Sequence, residues 1–172
     1  MSHAGAAANF PSIGRWTVTA FPRGWIYIDE FGIRQMTMDP KEVPANVGLG
    51  QDTLSDELAL GEYIEKQKKM IEGHLLEARF SGPQPTTFAG ADEAHLLLIR
   101  HSVASVGGML HVQTYVRRGL WLGIVTLTSI ESLVRTVKPD YDAFVRGLHI
   151  LPEPPSGAVP QAGSADADPG GR

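Results

Sequence analysis

The chain has 172 residues, a formal net charge of −4 and no cysteine. This length suits one folded domain, and a content of 42% hydrophobic and 20% charged residues is typical of globular proteins. The absence of cysteine excludes disulfides, thiolate metal sites and cysteine nucleophiles. The scattered Lys and Arg residues form no basic stripe, so we expect no nucleic-acid partner.

Both ends of the chain differ in composition from its middle. Residues 1–12 are mostly small or polar, and residues 152–172 are rich in Pro, Gly and Ala, so both are predicted to be disordered. A single domain is expected over residues 13–151. The start resembles no signal peptide, and no apolar run is long enough for a membrane helix. We therefore expect a cytoplasmic protein without a direct membrane anchor.

The first part of the domain reads as short strands separated by Pro and Gly turns. The predicted strands are Arg15 to Ala20, Trp25 to Asp29, Ile33 to Met38 and Ala45 to Leu49. A helix is predicted next, with Ser55, Asp56 and Glu57 as its cap and acidic first turn and Gly73 as its end. Leu60 and Ile64 lie on its apolar face, four residues apart.

The second part is predicted to be mostly antiparallel sheet. The predicted strands are Leu75 to Phe80, Thr86 to Phe88, Ala94 to His101, Met109 to Arg118 and Leu120 to Thr128. A last helix should start near Ser129, and Pro139 should kink it or break it in two. Strands and helices do not alternate regularly, which predicts an α+β fold with an antiparallel sheet flanked by helices.

The polar residues indicate no catalytic or metal site. If the loop Ser102 to Gly108 closes symmetrically, His111 is predicted to lie opposite Leu98, which places it on the other sheet face from His95 and His101. Three ligands split in this way cannot bind one metal ion, unless a bulge or a one-residue shift of the strand brings them to one face. Adjacent acids such as Asp29–Glu30 project to opposite sides of a strand, and no nucleophile or phosphate-loop motif occurs. We expect no enzyme activity and no cofactor.

A more unusual feature is a set of apolar residues at alternating positions in the first strands. Flexible Met and branched aliphatic side chains on an uncovered sheet face would form an adaptable binding groove. The candidate partner-binding residues are Ile26, Ile28, Met36, Met38, Val47 and Leu49. The competing interpretation is that these residues only build the core under the helices.

Several segments resemble the DcrB-related family, whose fold is the PsbP/Mog1-like α/β/α sandwich. These segments are Phe21 to Trp25 (FPRGW), Ala45 to Leu49 (ANVGL), Leu60 to Ile64 (LGEYI), Phe88 to Ala94 (FAGADEA) and His111 to Val116 (HVQTYV). The resemblance spans most of the predicted domain. The chain departs from the family pattern after Trp25, where Ile26-Tyr27-Ile28-Asp29 replaces the Asp-Arg dipeptide often found there.

The resemblance implies that this chain functions by binding another protein. One branch of the family consists of periplasmic lipoproteins that need a lipid-bearing cysteine, which this chain lacks. The other branch consists of cytoplasmic effector-associated chaperones of type VI secretion. This branch implies a homodimer that shields the apolar N-terminal helix of an effector protein before export. Two alternatives stay open: a module of the same fold that docks on a folded partner, and a small-ligand or enzyme role in the cleft between sheet and helix.

Overall fold

The computed structural model describes residues 12–28, 32–37, 39 and 41–153. The strands in this part of the chain are β1 (Ser12–Ile13), β2 (Trp16–Val18), β3 (Trp25–Ile28), β4 (Gly32–Gln35), β5 (Asn46–Thr53), β6 (Arg79–Thr86), β7 (Glu93–Val103), β8 (Gly107–Arg118), β9 (Trp121–Ile130) and β10 (Leu148–Ile150). The α-helices are α1 (Leu60–Glu72) and α2 (Val134–Arg146), and a short 3-10 turn (Glu131–Leu133) precedes α2.

The main sheet has seven strands in the order β3-β4-β5-β9-β8-β7-β6, and every neighbouring pair is antiparallel. A small antiparallel sheet joins β1, β2 and β10. The predicted run of three long antiparallel strands is confirmed, with Arg118 opposite Trp121 across a two-residue turn. Gly119 adopts a φ of +60° in that turn, a conformation that glycine tolerates best.

The two faces of the main sheet each carry one helix, because apolar residues alternate along the central strands. On one face, Val125 and Leu127 pack in the same core cluster as Phe144 of α2. On the other face, Leu97 and Leu122 pack in a second cluster with Ile64 of α1. We call these the α2 face and the α1 face. The predicted α+β fold, an antiparallel sheet flanked by helices, is confirmed.

A pair of tryptophans joins the small sheet to the main sheet. The rings of Trp16 and Trp121 meet edge to face, with centroids 5.1 Å apart, over Gly123 of β9. The indole Nε1 of Trp16 also donates a hydrogen bond to the Gly50 carbonyl oxygen at 3.0 Å. A side chain at position 123 would overlap both rings. Because glycine has no side chain, Gly123 leaves room for the contact between the two sheets.

The helices differ from the prediction at their starts. Helix α1 begins at Leu60, and its N-cap residue Ala59 makes no side-chain cap hydrogen bond. The predicted cap at Ser55 lies in the turn before it. Gly73 ends α1 as predicted and donates its N–H to the Met70 carbonyl, while the Ile71 carbonyl accepts from the N–H groups of His74 and Leu75. Helix α2 continues unbroken through Pro139, where a kink or break was predicted. The 3-10 turn lies before it and passes into the α-helix at Val134.

Strand β6 runs as one strand where two short ones were predicted. It contains Pro83 and Pro85, which lie between the two predicted segments. Both prolines are tolerated because β6 is the last strand of the sheet and its pairing with β7 shifts register between Ser81 and Gln84.

Among the described residues, no helix is both long and apolar enough to cross a bilayer. The two segments predicted to be disordered fall largely on residues 1–11 and 154–172, outside the described residues.

Candidate functional site

Part of the α2 face is left open by the helix. Helix α2 buries Val137, Tyr141 and Phe144 against the sheet. Over β7 and β8, in contrast, the side chains of Leu96, Leu98 and Val112 are only half-buried. Leu98 lies directly opposite Val112 in the β7–β8 register, so these side chains form a continuous apolar floor.

The open floor and the side of α2 enclose an apolar cleft of about 380 Å³, which we call the α2 groove. Its floor consists of Leu96, Leu98, Leu110, Val112 and Leu127. Its wall consists of Val134 and Val145 from α2, and Phe88 lies at one end. The lining is that of a site for an apolar ligand, because burying aliphatic surface is favourable by about 25 cal/mol per Å².

Few polar groups reach the α2 groove. The hydroxyls of Thr114 and Tyr141 lie 3.3 Å apart in its buried part. Burial raises the pKa of the Tyr141 phenol to about 12, so this group is neutral near pH 7. At the mouth, the ammonium of Lys138 contacts the Asp142 carboxylate at 2.6 Å, and both side chains are exposed. The described lining therefore contains one ion pair at the surface and a neutral hydroxyl pair inside.

The three strand histidines lie on the opposite side of the sheet, and the predicted register was wrong. Val103 pairs with Gly107 and His111 pairs with Ile99, so odd-numbered residues lie opposite odd-numbered ones and even opposite even. His95, His101 and His111 therefore share the α1 face instead of straddling the sheet. The hairpin does close symmetrically, about Ser105, and this symmetry places His111 opposite Ile99, so the prediction miscounted the pairing by one residue.

Two of these histidines form a close pair. The rings of His101 and His111 stack with centroids 4.9 Å apart, and their Nε2 atoms are 2.9 Å apart. The Nδ1 atom of His111 lies 2.9 Å from the Thr128 hydroxyl. Burial, and then the neighbouring His101, lowers the pKa of His111 to about 4, so its ring is neutral at pH 7. Among the described residues, no group of three or more metal-binding side chains is suitable for a metal ion.

The structure separates the residues that were predicted to bind a partner. Ile26 is 37% exposed and Ile28 half-buried, and both side chains lie on the α1 face of β3. Val47 and Leu49 point to the α2 face and are buried in the core, at 0% and 7% exposure. For these two, the competing core interpretation is the correct one.

The two methionines lie apart from these residues. Met36 follows β4, is 57% exposed and lines a separate cleft with Val106 and Leu133. Met38 lies outside the described residues. The six candidates therefore do not form one surface.

Sequence reasoning missed the floor of the α2 groove. Strand β7 contains the uninterrupted apolar run Leu96 to Ile99, so it is apolar on both sides. A strand with one solvated face would alternate apolar and polar residues. The run could be read as a strand buried on both faces, and the structure shows one of these faces only half covered.

No protein-family model matches the chain, and no curated protein matches it. Several solved structures, in contrast, match the fold of this chain. LpqN of Mycobacterium tuberculosis, involved in cell envelope biogenesis, superposes with a TM-score of 0.61 and 15% identity over 80% of this chain and 83% of LpqN. PA94 of Pseudomonas aeruginosa, a protein of unknown function, gives a TM-score of 0.54 and 14% identity over 76% of this chain and 96% of PA94.

The cyanobacterial PsbP (CyanoP) of Synechocystis sp. PCC 6803 also matches. It gives a TM-score of 0.57 and 14% identity over 87% of this chain and 96% of that protein. Identities this low support a shared fold and nothing finer. This chain accordingly has the PsbP/Mog1-like fold, an antiparallel sheet flanked by helices.

Proposed function

We propose that this protein is a non-catalytic binding protein that holds an apolar helical segment of another polypeptide in the α2 groove. The observation that carries the proposal is the half-buried floor of Leu96, Leu98 and Val112 beside α2. An apolar segment laid there would cover the exposed part of these side chains and bury its own apolar face.

The dimensions of the α2 groove support a helix as the ligand. Strands β8, β7 and β6 are consecutive in the sheet, so the first and third lie roughly 10 Å apart. Packed helices lie at a similar separation, about 8–10 Å between axes. A partner helix beside α2 would therefore complete the helical layer on this face, with Val134 and Val145 as its lateral contacts.

We further propose, from the resemblance to the DcrB-related family, that the segment is the apolar N-terminal helix of a type VI secretion effector. Such a helix would aggregate in the cytoplasm if left exposed, because its apolar surface is too large to remain in water. The groove would shield it until export. The groove's uncharged floor suits this ligand, since a membrane-inserting helix has few charges to pair.

A test of this proposal places a charge on the groove floor. The probe is a fluorescently labelled synthetic apolar helix of about 20 residues, and fluorescence anisotropy measures its dissociation constant. Val112→Glu should weaken binding at least tenfold, because an unpaired carboxylate in an apolar contact is costly. Gln113→Glu is the matched control, since it adds the same charge one residue later, on the opposite face.

The results separate the competing functions. Equal binding by wild type and Val112→Glu, with both folded by circular dichroism, would contradict the groove proposal. Co-expression with type VI effectors then tests the partner. Recovery of an effector through its N-terminal segment, lost in Val112→Glu, supports the chaperone role. Recovery of a folded protein that is instead lost in Met36→Asp supports docking at the cleft around that exposed residue.

A further inference from the structure

The row of residues next to the apolar floor of the α2 groove is charged. Alternate residues of a strand share a face, so Arg100 follows Leu96 and Leu98 on the α2 face of β7. Its neighbour on β8 is Leu110, which lines the groove. Its neighbour on β6 is Arg79. One end of the groove therefore carries two guanidinium groups on adjacent strands.

The two arginines differ in how their charges are balanced. The Nε of Arg100 donates to the Glu131 carboxylate at 2.8 Å. Glu77, the other carboxylate in this cleft of about 200 Å³, accepts from the Ser102 hydroxyl at 3.1 Å. Arg79 is exposed and makes no hydrogen bond or ion pair with the residues that the structure describes. Its charge is available to a ligand at this end of the groove.

Helix α2 starts at the same end of the groove. The 3-10 turn that begins with Glu131 leads directly into α2, and Glu131 binds Arg100. Further along α2, the Tyr141 hydroxyl lies 3.3 Å from that of Thr114, which pairs with Leu96. Helix α2 therefore runs along the groove away from the two arginines, and the positive end of its dipole lies beside them.

The opposite end of the groove is different. Of the described residues that line the groove, Thr86, Thr87 and Phe88 lie at that end, and none of the three is charged. Between the ends, Lys138 and Asp142 neutralise each other on the wall. The two ends therefore differ in charge, and a helix whose own ends differ would be favoured in one direction.

We propose that the apolar helix of the partner lies antiparallel to α2, with an acidic residue at its C-terminal end bound by Arg79. This inference rests on the proposed function and adds a direction and a sequence requirement to it. The C-terminal end of a helix carries a partial negative charge, so it is favoured beside the start of α2 and the arginines. An Asp or Glu after the apolar segment would accept hydrogen bonds from the Arg79 guanidinium.

The first experiment measures whether Arg79 recognises the acidic residue. The probes are two labelled apolar helices of about 20 residues, one ending in Glu-Glu and one in Gln-Gln, and fluorescence anisotropy gives their dissociation constants. Wild type should bind the Glu-Glu helix about two- to fivefold more tightly, as expected for exposed ion pairs, and Arg79→Gln should lose this preference. Arg34→Gln, which removes an exposed charge from the α1 face, is the matched control and should keep it.

The second experiment measures the direction of the bound helix. Ala94, which pairs with Thr86, lies eight residues before Ser102 on β7, a span of about 27 Å that is close to the length of about 30 Å of the 20-residue probe. The chain has no cysteine, so Ser102→Cys and Thr86→Cys each place one thiol at a known end of the groove. A Glu-Glu helix with a C-terminal cysteine should form a disulfide faster with Ser102→Cys, and one with an N-terminal cysteine faster with Thr86→Cys. The reversed pattern, or equal rates for both helices at both positions, would overturn the proposal.

The outcomes separate this inference from the proposed function. Binding that is lost in Val112→Glu but is equally tight for the Glu-Glu and Gln-Gln helices would overturn the role of Arg79 and leave the α2 groove as the binding site. Dodecanoate is the probe for another occupant, since an acyl chain also has an apolar body and an anionic end. If dodecanoate binds more tightly than the Glu-Glu helix and loses this binding in Arg79→Gln, Arg79 recognises an amphiphile and the proposal is overturned.

Discussion

At the scale of single residues, the His101–His111 pair makes a polar element inside the α1 face. Their Nε2 atoms are 2.9 Å apart, so one ring donates a proton to the lone pair of the other. Since His111 also contacts the Thr128 hydroxyl, both of its ring nitrogens are engaged. The pair is satisfied in its neutral form, and protonation of His111 would place a charge in a part-buried site next to His101, which burial and the neighbouring ring disfavour.

This pair predicts a loss of stability in acid. The pKa of His111 is lowered from 6.5 to about 4 in the folded protein, so between these values the unfolded chain binds a proton that the folded chain does not. The free energy of unfolding should therefore fall as the pH drops from 6.5 towards 4, and change no further through this residue below 4. Urea titrations across this range measure it.

The variant His111→Gln should flatten that pH dependence, because it removes the titrating ring. His149→Gln, on an exposed histidine of β10, is the control and should retain the wild-type slope. A His111→Gln protein with an unchanged slope would show that another group causes the acid loss.

Gly123 predicts a second single-residue effect. A methyl group there would overlap the rings of Trp16 and Trp121, so Gly123→Ala should destabilise the fold by about 1–3 kcal/mol through overpacking. Gly50→Ala on the neighbouring strand β5 is the control, since a Cβ there would lie 3.7 Å from Ile124, an ordinary contact. Urea unfolding compares them, and equal stability of the two variants would contradict the packing argument.

At the scale of elements, helix α2 is held to the sheet by packing and by one directed bond. Its inner residues Val137, Tyr141 and Phe144 are buried. The hydrogen bond from Trp25 to Asp140 ties the same helix to edge strand β3. The position of α2 sets the width of the α2 groove, so this bond also helps to fix the shape of the proposed binding site.

Breaking that bond should be costly. Asp140→Ala leaves the part-buried Trp25 indole N–H without its acceptor, so we expect a loss of about 1–3 kcal/mol in the free energy of unfolding. Asp142→Ala, two residues along the same helix, removes only an exposed ion pair with Lys138 and should cost less than about 1 kcal/mol. Chemical denaturation measures both, and similar losses would contradict the anchoring role of Asp140.

At the scale of the whole molecule, the two core clusters lie on opposite faces of one sheet and are built from residues between Trp16 and Ile150. The composition of the chain before and after this span offers little apolar surface for burial. The free energy of unfolding should therefore depend on the described part of the chain.

Deleting residues 154–172 should accordingly change the free energy of unfolding by less than about 0.5 kcal/mol, as for surface changes generally. Thermal and urea unfolding of the truncated and full chains measure it. A larger loss would show that the tail packs on the domain.

The sequence by itself determined the fold class, because local patterns carry that information. Glycine and proline turns, the apolar stripe with Leu60 and Ile64, and the tight turn at Gly119 each act over a few residues. The resemblance also implied a PsbP/Mog1-like fold, and the solved structures bear this out.

Only the tertiary structure decided which apolar residues are accessible. Val47 and Leu98 both read as strand residues, yet Val47 is fully buried and Leu98 stays half open. The physical reason is that the helices α1 and α2 each cover part of a seven-stranded sheet. Which part they cover depends on long-range packing such as that of Phe144 against the sheet, and no local pattern in the chain encodes it.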